Sequence, residues 1–122
     1  MSTGTDDLRI GSITELMEPE ALIAEMPPSD AAIATVSEAR KAIHQIIANQ
    51  DDRLVVVVGP CSIHDTDLAL EYGKRLKALA DQVSEHIVII MRVYFEKPRT
   101  TVGWKGLIND PHLNGSFDIE TG

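Results

Sequence analysis

The chain has 122 residues, of which 43% are hydrophobic and 25% are charged, and its formal net charge is −8. This composition is typical of a folded domain with a modest core, and it excludes the disordered and collagen-like classes. Nucleic acid binding needs a broad basic surface, which so acidic a chain lacks, so we expect no nucleic acid partner.

The N-terminal part is predicted to be a polar arm followed by two helices. Residues 1–12 are mostly polar and form the arm, and a short helix is expected from Pro19 to the Pro27-Pro28 pair, which ends it. A longer helix begins next, with Ser29 or Asp30 as its cap, and stops near residues 49–52. Apolar residues recur along it at spacings of three and four, which predicts one buried face: Val36, Ala39, Ile43, Ile46 and Ile47.

The second part is predicted to be a strand–helix–strand unit. Leu54–Val58 is an aliphatic run without polar alternation, which is typical of a strand buried on both faces. An amphipathic helix capped by Asp65 or Thr66 follows, and Ile87–Met91 is a second strand of the same kind. Such a βαβ unit places its strands in parallel. Two strands cannot cover themselves, so both need neighbours that this chain does not supply.

The two predicted strand ends carry the least ordinary residues of the chain. Ligands of parallel α/β folds bind at the carboxyl ends of the strands. The first end leads into residues 59–64, and the second into residues 92–105, which hold four bases and only Glu96 as an acid. A small basic cluster in an acidic chain favours a small anion as the ligand.

Cys61 follows the first strand in a Gly-Pro turn and is the only cysteine. A thiolate there can be a soft metal ligand or a nucleophile, although most single cysteines are small buried hydrophobic residues. His64 has the spacing of a weak metal pair with Cys61, yet a loop histidine with one hydrogen bond is the simpler interpretation. A lone cysteine excludes an internal disulfide and is typical of a reducing compartment.

The N-terminus resembles no signal peptide, since it has neither a basic start nor an apolar core. No apolar run approaches the roughly eighteen residues that a membrane helix needs. We therefore expect a cytoplasmic protein with no membrane partner.

The basic cluster contains Arg92, Lys97, Arg99 and Thr100, with Pro98 fixing the backbone between two of the cations. Arginine offers a two-pronged donor to carboxylate or phosphate oxygens, and lysine a point charge. A solvated basic loop is the plainer alternative. It is weaker here because these bases interrupt an acidic chain at a predicted ligand-binding edge.

Trp104 lies between two residues of the same loop, Gly103 and Lys105. It either lines the site or packs beneath the loop, and packing is the simpler role. The residues around Asn109 are predicted to form a turn, and His112 is not a candidate ligand.

Two segments, Gly59–Asp65 and Met91–Pro111, closely resemble the 3-deoxy-D-arabino-heptulosonate 7-phosphate (DAHP) synthases. The resemblance is to the microbial type I group, whose members are feedback-inhibited by an aromatic amino acid. It extends over essentially the whole chain, including Asp6–Ile10. It implies an α/β fold with an N-terminal extension (residues 1–50) and the first βαβ portion of a (β/α)8 TIM barrel (residues 51–122), incomplete in this chain.

The resemblance implies an aldol-type condensation of phosphoenolpyruvate with erythrose 4-phosphate, which releases phosphate and opens the shikimate pathway to the aromatic amino acids. Arg92 and Lys97 would hold the carboxylate of phosphoenolpyruvate, and Lys97 would be the catalytic residue. Erythrose 4-phosphate would be held by Lys97, Pro98, Arg99 and Thr100, with Arg99 and Thr100 on its phosphate.

The resemblance also implies a metal and an inhibitor. Cys61 would be one ligand of an essential divalent metal ion. Asp6 and Asp7 match a part of the arm that helps to form the site for an aromatic amino acid, and phenylalanine, tyrosine and tryptophan all stay open.

By resemblance the chain is the first third of such an enzyme. We expect it to be an inactive N-terminal fragment of a homo-oligomeric parent (dimer or tetramer), with the remaining metal ligands beyond Gly122. Two alternatives stand beside this interpretation. One is a related aldol synthase that uses a five-carbon sugar phosphate, which residues 97–100 disfavour. The other is a non-catalytic fragment that only docks to full-length subunits.

Overall fold

The computed structural model describes residues 10–97 and 102–122. Within them, five elements follow one another: α1 (Pro19–Glu25), α2 (Asp30–Ile47), β1 (Leu54–Val58), α3 (Thr66–Val83) and β2 (Ile87–Met91). Each was predicted from the sequence, and both strands have the predicted bounds. Across the same residues, no helix is long and apolar enough to cross a membrane.

Side-chain caps fix where the two long helices begin. The Ala32 amide donates a hydrogen bond to Ser29 Oγ at 3.2 Å, and the Leu68 amide donates to Asp65 Oδ1 at 2.9 Å. Such caps satisfy amides that the first turn of a helix leaves without a partner. Helix α2 ends just before Asn49, whose φ of +56° lies in the left-handed region that terminates helices.

Strands β1 and β2 form a two-stranded parallel sheet, in register from Leu54 opposite Ile87 to Val58 opposite Met91. Helix α3 connects the strands and packs on β2, and α2 packs on both strands. The strand–helix–strand unit predicted from the sequence is therefore confirmed. Its parallel register brings the carboxyl ends of both strands to one edge.

The strands are much more open than their apolar sequences suggest. Leu54 and Val57 of β1 are each 66% exposed, and all five residues of β2 are only half-buried. Ile63 is the one buried hydrophobic residue among those that the structure describes. A strand that is buried on both faces needs a layer on each side. The described elements do not provide those layers, as the lack of neighbouring strands led us to expect.

The opposite edge of the sheet is tied together by Arg53. Its Nη2 atom lies 2.7 Å from Asp51 Oδ2, and its Nη1 atom donates to the Ser84 carbonyl at 3.2 Å. The residue thus joins the start of β1 to the end of α3. The hydrogen bonds that Asp51 accepts from the Arg53 side chain hold the pKa of Asp51 below its ordinary value of 3.8.

Replacing this carboxylate should make stability less dependent on acid pH. In the full-length parent, an Asp51→Asn variant is expected to unfold at a lower temperature than the unmodified protein at neutral pH. The difference should shrink as the pH falls through the lowered pKa of Asp51, because protonation removes the same ion pair from the unmodified protein. Thermal unfolding across an acid pH series measures this. Asp52→Asn removes an exposed neighbouring charge and is the matched control; equal shifts for both variants would contradict a specific role for Asp51.

Candidate functional site

The loops after the two strands lie side by side and are bonded to each other. The Arg92 amide donates to the Val58 carbonyl at 2.8 Å, and the Ile63 amide donates to the Tyr94 carbonyl at 2.9 Å. Gly59 permits this contact, since a Cβ atom there would lie 2.6 Å from the carbonyl oxygen of Arg92. The sequence thus uses a glycine where the two backbones approach most closely.

Three of the predicted site residues meet at this edge, and we call them the strand-end cluster: Cys61, Arg92 and Lys97. Lys97 Nζ donates to Cys61 Sγ at 3.1 Å, and Arg92 Nη2 donates to the Cys61 carbonyl at 3.2 Å. Cys61 is exposed. Two cations that follow Cys61 by 31 and 36 residues are therefore next to it in space.

The guanidinium of Arg92 lies over the ring of Tyr94, 5.1 Å from its centroid. This is a cation–π contact, which restrains the guanidinium without neutralising it. Tyr94 was missed from the sequence, although an aromatic residue two positions after a strand-end arginine is a usable signal. Among the described residues, neither Arg92 nor Lys97 forms an ion pair with a carboxylate. Their charges can thus act on an anionic ligand.

The backbone around Lys97 is held from the other side of its loop. Its amide donates to the Lys105 carbonyl at 2.9 Å, and Glu96 forms an antiparallel bridge with Gly106. Gly106 has a φ of +112°, and a Cβ atom there would clash with the Phe95 carbonyl. Residues 95–97 and 105–106 are therefore held together as two short, paired segments.

Trp104 packs within this loop. It is half-buried, and its Nε1 atom donates to the Asp110 carbonyl at 2.7 Å. The contact supports the packing role over a place in the site.

Further along the chain, His112 Nε2 lies 3.1 Å from Asp118 Oδ2. The hydroxyl of Thr121 and then His112 hold the pKa of Asp118 below its ordinary range.

The other predicted site residues lie outside the described residues: Asp6, Asp7, Pro98, Arg99 and Thr100. Pro98 to Thr100 directly follow Lys97 in the chain. His64 is exposed at the edge of the same cleft as Asp65.

The strand-end cluster offers a metal ion a single soft donor, the exposed sulfur of Cys61. No group of three or more His, Cys, Asp or Glu residues that could hold a metal occurs within residues 10–97 and 102–122. Metal sites of proteins usually have three or four protein ligands. Cys61 therefore fits the role of one ligand, and the described residues do not form a complete metal site.

The sequence model of the DAHP synthetase I family matches residues 28–122. The Phe-sensitive phospho-2-dehydro-3-deoxyheptonate aldolase of Escherichia coli K12 is 57% identical over all 122 residues, which cover 35% of its length. The Tyr-sensitive enzyme of the same organism is 62% identical over 107 residues, which are 88% of this chain and 30% of that protein.

A solved structure is also similar. The structure of phospho-2-dehydro-3-deoxyheptonate aldolase from Francisella tularensis SCHU S4 matches with a TM-score of 0.85 and 50% sequence identity. The match covers 91% of this chain and 33% of that one. The chain therefore spans about a third of the length of the relatives that it matches.

Proposed function

This chain belongs to the DAHP synthetase I family, and we propose that the protein of which it forms part, here called the parent protein, condenses phosphoenolpyruvate with erythrose 4-phosphate. The products are DAHP and phosphate. The observation that carries the proposal is the strand-end cluster at the ligand-binding edge of a parallel sheet. It places beside an exposed cysteine two cations that form no ion pair with a carboxylate among the described residues.

The proposed fold of the parent protein is a (β/α)8 barrel. Residues 1–50 would be an extension that carries the arm, and residues 51–122 would begin the barrel. The parallel β1–β2 pair with its connecting helix supports this, as it is the repeating unit of such a barrel. The exposure of β1 supports it too, because a neighbouring strand and further helices would cover this apolar surface.

The names of the relatives favour one of the two sugar phosphates that were considered from the sequence. The relatives are named for a heptonate, a seven-carbon acid. Phosphoenolpyruvate contributes three carbons, which leaves a four-carbon sugar. This supports erythrose 4-phosphate over a five-carbon sugar phosphate.

Arg92 and Lys97 are proposed to bind the carboxylate of phosphoenolpyruvate. The guanidinium fork of Arg92 can pair with both carboxylate oxygens, and Tyr94 limits its motion. Lys97 adds a point charge 3.1 Å from the sulfur of Cys61. Held in this way, the carboxylate would lie close to Cys61, the proposed metal ligand.

Lys97 is the proposed catalytic residue because it would contact both substrates. It leads directly into Pro98, Arg99 and Thr100, which are proposed to bind erythrose 4-phosphate, the last two through the phosphate. Both substrates are anions that repel each other, and the cations of this loop would screen that repulsion while fixing the reacting groups in place. Positioning of this kind is a large source of catalysis in reactions that join two molecules.

Cys61 is proposed to be one ligand of a divalent metal ion. An ammonium next to a cysteine sulfur favours the thiolate, which is the form that binds metals, and Lys97 Nζ occupies that place. When bound, the metal would supply Lewis-acid polarisation of the aldehyde oxygen. Its remaining ligands would come from the part of the relatives' length that this chain does not span.

The remaining proposals concern regulation and assembly. Asp6 and Asp7 would contribute to a site for an aromatic amino acid inhibitor, and the parent protein would be a cytoplasmic homo-oligomer. Two relatives carry the names Phe-sensitive and Tyr-sensitive, and they match this chain to a similar degree. Their similarity therefore supports an aromatic inhibitor without selecting one.

The two arginines of the site should differ in the substrate that they bind. In the parent protein, Arg92→Ala should mainly raise the KM for phosphoenolpyruvate, and Arg99→Ala should mainly raise the KM for erythrose 4-phosphate. Each loses charge-assisted hydrogen bonds worth about 1.5–3 kcal/mol, which corresponds to roughly tenfold to hundredfold in KM. Steady-state phosphate release, with each substrate varied in turn, measures both constants.

Arg75→Ala is the matched control, because Arg75 lies on α3 with an 81% exposed side chain that pairs with Glu71. It should leave both KM values unchanged. Equal effects of the Arg92 and Arg99 variants on both substrates would contradict separate sites. Absence of phosphate release from the unmodified parent protein, with divalent metal and both substrates present, would contradict the proposed function itself.

A further inference from the structure

The one buried charged residue among those the structure describes is Asp110, which is 5% exposed and lies outside the strand-end cluster. Both of its carboxylate oxygens accept a hydrogen bond from the Gly115 amide, at 3.2 and 3.0 Å. Its own amide donates to the Gly106 carbonyl at 2.9 Å, and its carbonyl accepts from Trp104 Nε1. A buried carboxylate is costly unless it is well bonded, so this arrangement indicates a specific task.

The contacts of Asp110 lead to Lys97 in two steps. Gly106, which Asp110 bonds through its backbone, is the residue that bridges Glu96. The preceding carbonyl, of Lys105, accepts the hydrogen bond of the Lys97 amide. Since Gly106 has no room for a Cβ atom against the Phe95 carbonyl, the two segments are in close contact. A shift of the loop around Asp110 would therefore move the backbone of Lys97.

We propose that Asp110 is a positioning residue for the active site. Its carboxylate holds Gly115, while its backbone carbonyl and amide hold Trp104 and Gly106. By fixing Asp110 in place, the carboxylate keeps Gly106 and the neighbouring Lys105 carbonyl against the backbone of Lys97, so that the Lys97 ammonium stays beside Cys61. The inference rests on the proposed function for its kinetic consequences, because Lys97 and the residues after it are the proposed substrate-binding segment. Asp110 itself contacts no group of the strand-end cluster among the described residues, so it acts through the backbone.

The substitution Asp110→Ala should therefore affect substrate binding more than metal binding. It leaves the Gly115 amide without its side-chain acceptor and loosens the contact of residues 105–106 with residues 95–97. Loss of such a charge-assisted bond is expected to raise the KM for both substrates about tenfold, because Lys97 is proposed to contact both. Cys61 keeps its contact with Arg92 and the neighbouring Ile63–Tyr94 bond and loses only the support of the Lys97 ammonium, so the affinity for Mn²⁺ should fall less than the affinity for the substrates. Asp110→Asn keeps one acceptor oxygen and should recover part of the loss.

Two measurements on the parent protein test the proposal. Hydrogen exchange followed by mass spectrometry should show faster exchange of the peptides containing Lys97 and Gly115 in Asp110→Ala, with no change in the peptides of α3. Kinetics with each substrate varied, together with Mn²⁺ titration, give the KM values and the metal affinity. Asp118→Ala is the matched control, because it removes an exposed carboxylate further along the same segment.

The outcomes separate the proposals. A fall in kcat with both KM values unchanged, or unchanged exchange at Lys97, would overturn the positioning role. If Asp110→Ala does not fold, Asp110→Asn carries the same test with a smaller expected shift. If the unmodified parent protein does not condense the two substrates, the proposed function fails, while the exchange result still decides whether Asp110 holds the backbone of Lys97.

Discussion

Cys61→Ser and Cys61→Ala should each abolish catalysis by the parent protein, and this is the largest effect that we expect from any single substitution. A hydroxyl or a methyl group does not replace a thiolate as a ligand of a divalent metal. Loss of a direct ligand should weaken metal affinity by at least about a hundredfold, the upper range seen for groups that only support a ligand. Titration with Mn²⁺, followed by assay of phosphate release at saturating metal, measures both quantities.

His64→Ala is the matched control for the metal site. His64 follows Cys61 by three residues and is exposed, and we interpret it as a loop residue. Its replacement should leave metal affinity unchanged. Equal loss of affinity in the His64 variant would instead mean that the two side chains form a pair of ligands. Cys61 variants that keep both metal affinity and turnover would contradict the ligand role, and variants that keep the metal but lose turnover would favour a nucleophilic cysteine.

The secondary structure was predictable because its signals are local. Ser29 and Asp65 cap their helices through residues three positions along, and such short-range bonds leave a direct trace in the sequence. Asn49 likewise ends α2 through its own backbone conformation. Strands β1 and β2 were found from their apolar runs, whose lengths match the observed elements.

The part of the site at the strand ends was predictable from topology. Cys61 and Arg92 each follow a strand, and parallel strands bring their carboxyl ends together, so their proximity needs no further information. The contact between Lys97 and Cys61 was less certain from sequence, because it depends on how the loop returns. The roles of these residues in binding remain predictions.

The support beneath the site was not predictable. Asp110 contacts Gly115 and Gly106 within a loop that has no periodic pattern, and a single aspartate in a Pro-containing turn is ordinarily exposed. Its backbone carbonyl accepts a hydrogen bond from Trp104, a contact that arises from the folded loop and not from any short motif. The exposure of β1 was unpredictable for a different reason. An apolar sequence pattern indicates that a strand is buried, but it does not indicate which residues cover it.

A polypeptide made of residues 1–122 alone is expected to be inactive and to lack a cooperative unfolding transition. Burial contributes about 25 cal/mol for each Å² of apolar surface, and ordering the backbone costs roughly 1–2 kcal/mol per residue. Ile63 is the one buried hydrophobic residue among the described ones, so little burial offsets that cost. Helices α2 and α3 each carry an apolar face and can persist locally, whereas the sheet should not. Far-ultraviolet circular dichroism should show helix, and near-ultraviolet dichroism through Trp104 should show no sharp thermal transition.

The variant Val57→Lys makes this prediction specific to β1. Val57 is 66% exposed within the described residues, so a lysine there should be tolerated by the isolated polypeptide and should reduce its aggregation. In the parent protein the same strand is proposed to be covered on both faces, and a lysine would place a charge in an apolar layer. There it should prevent folding. A sharp transition of the isolated polypeptide as a soluble monomer would show that residues 1–122 form a core of their own, and equal tolerance of the lysine in both proteins would contradict the barrel position proposed for β1.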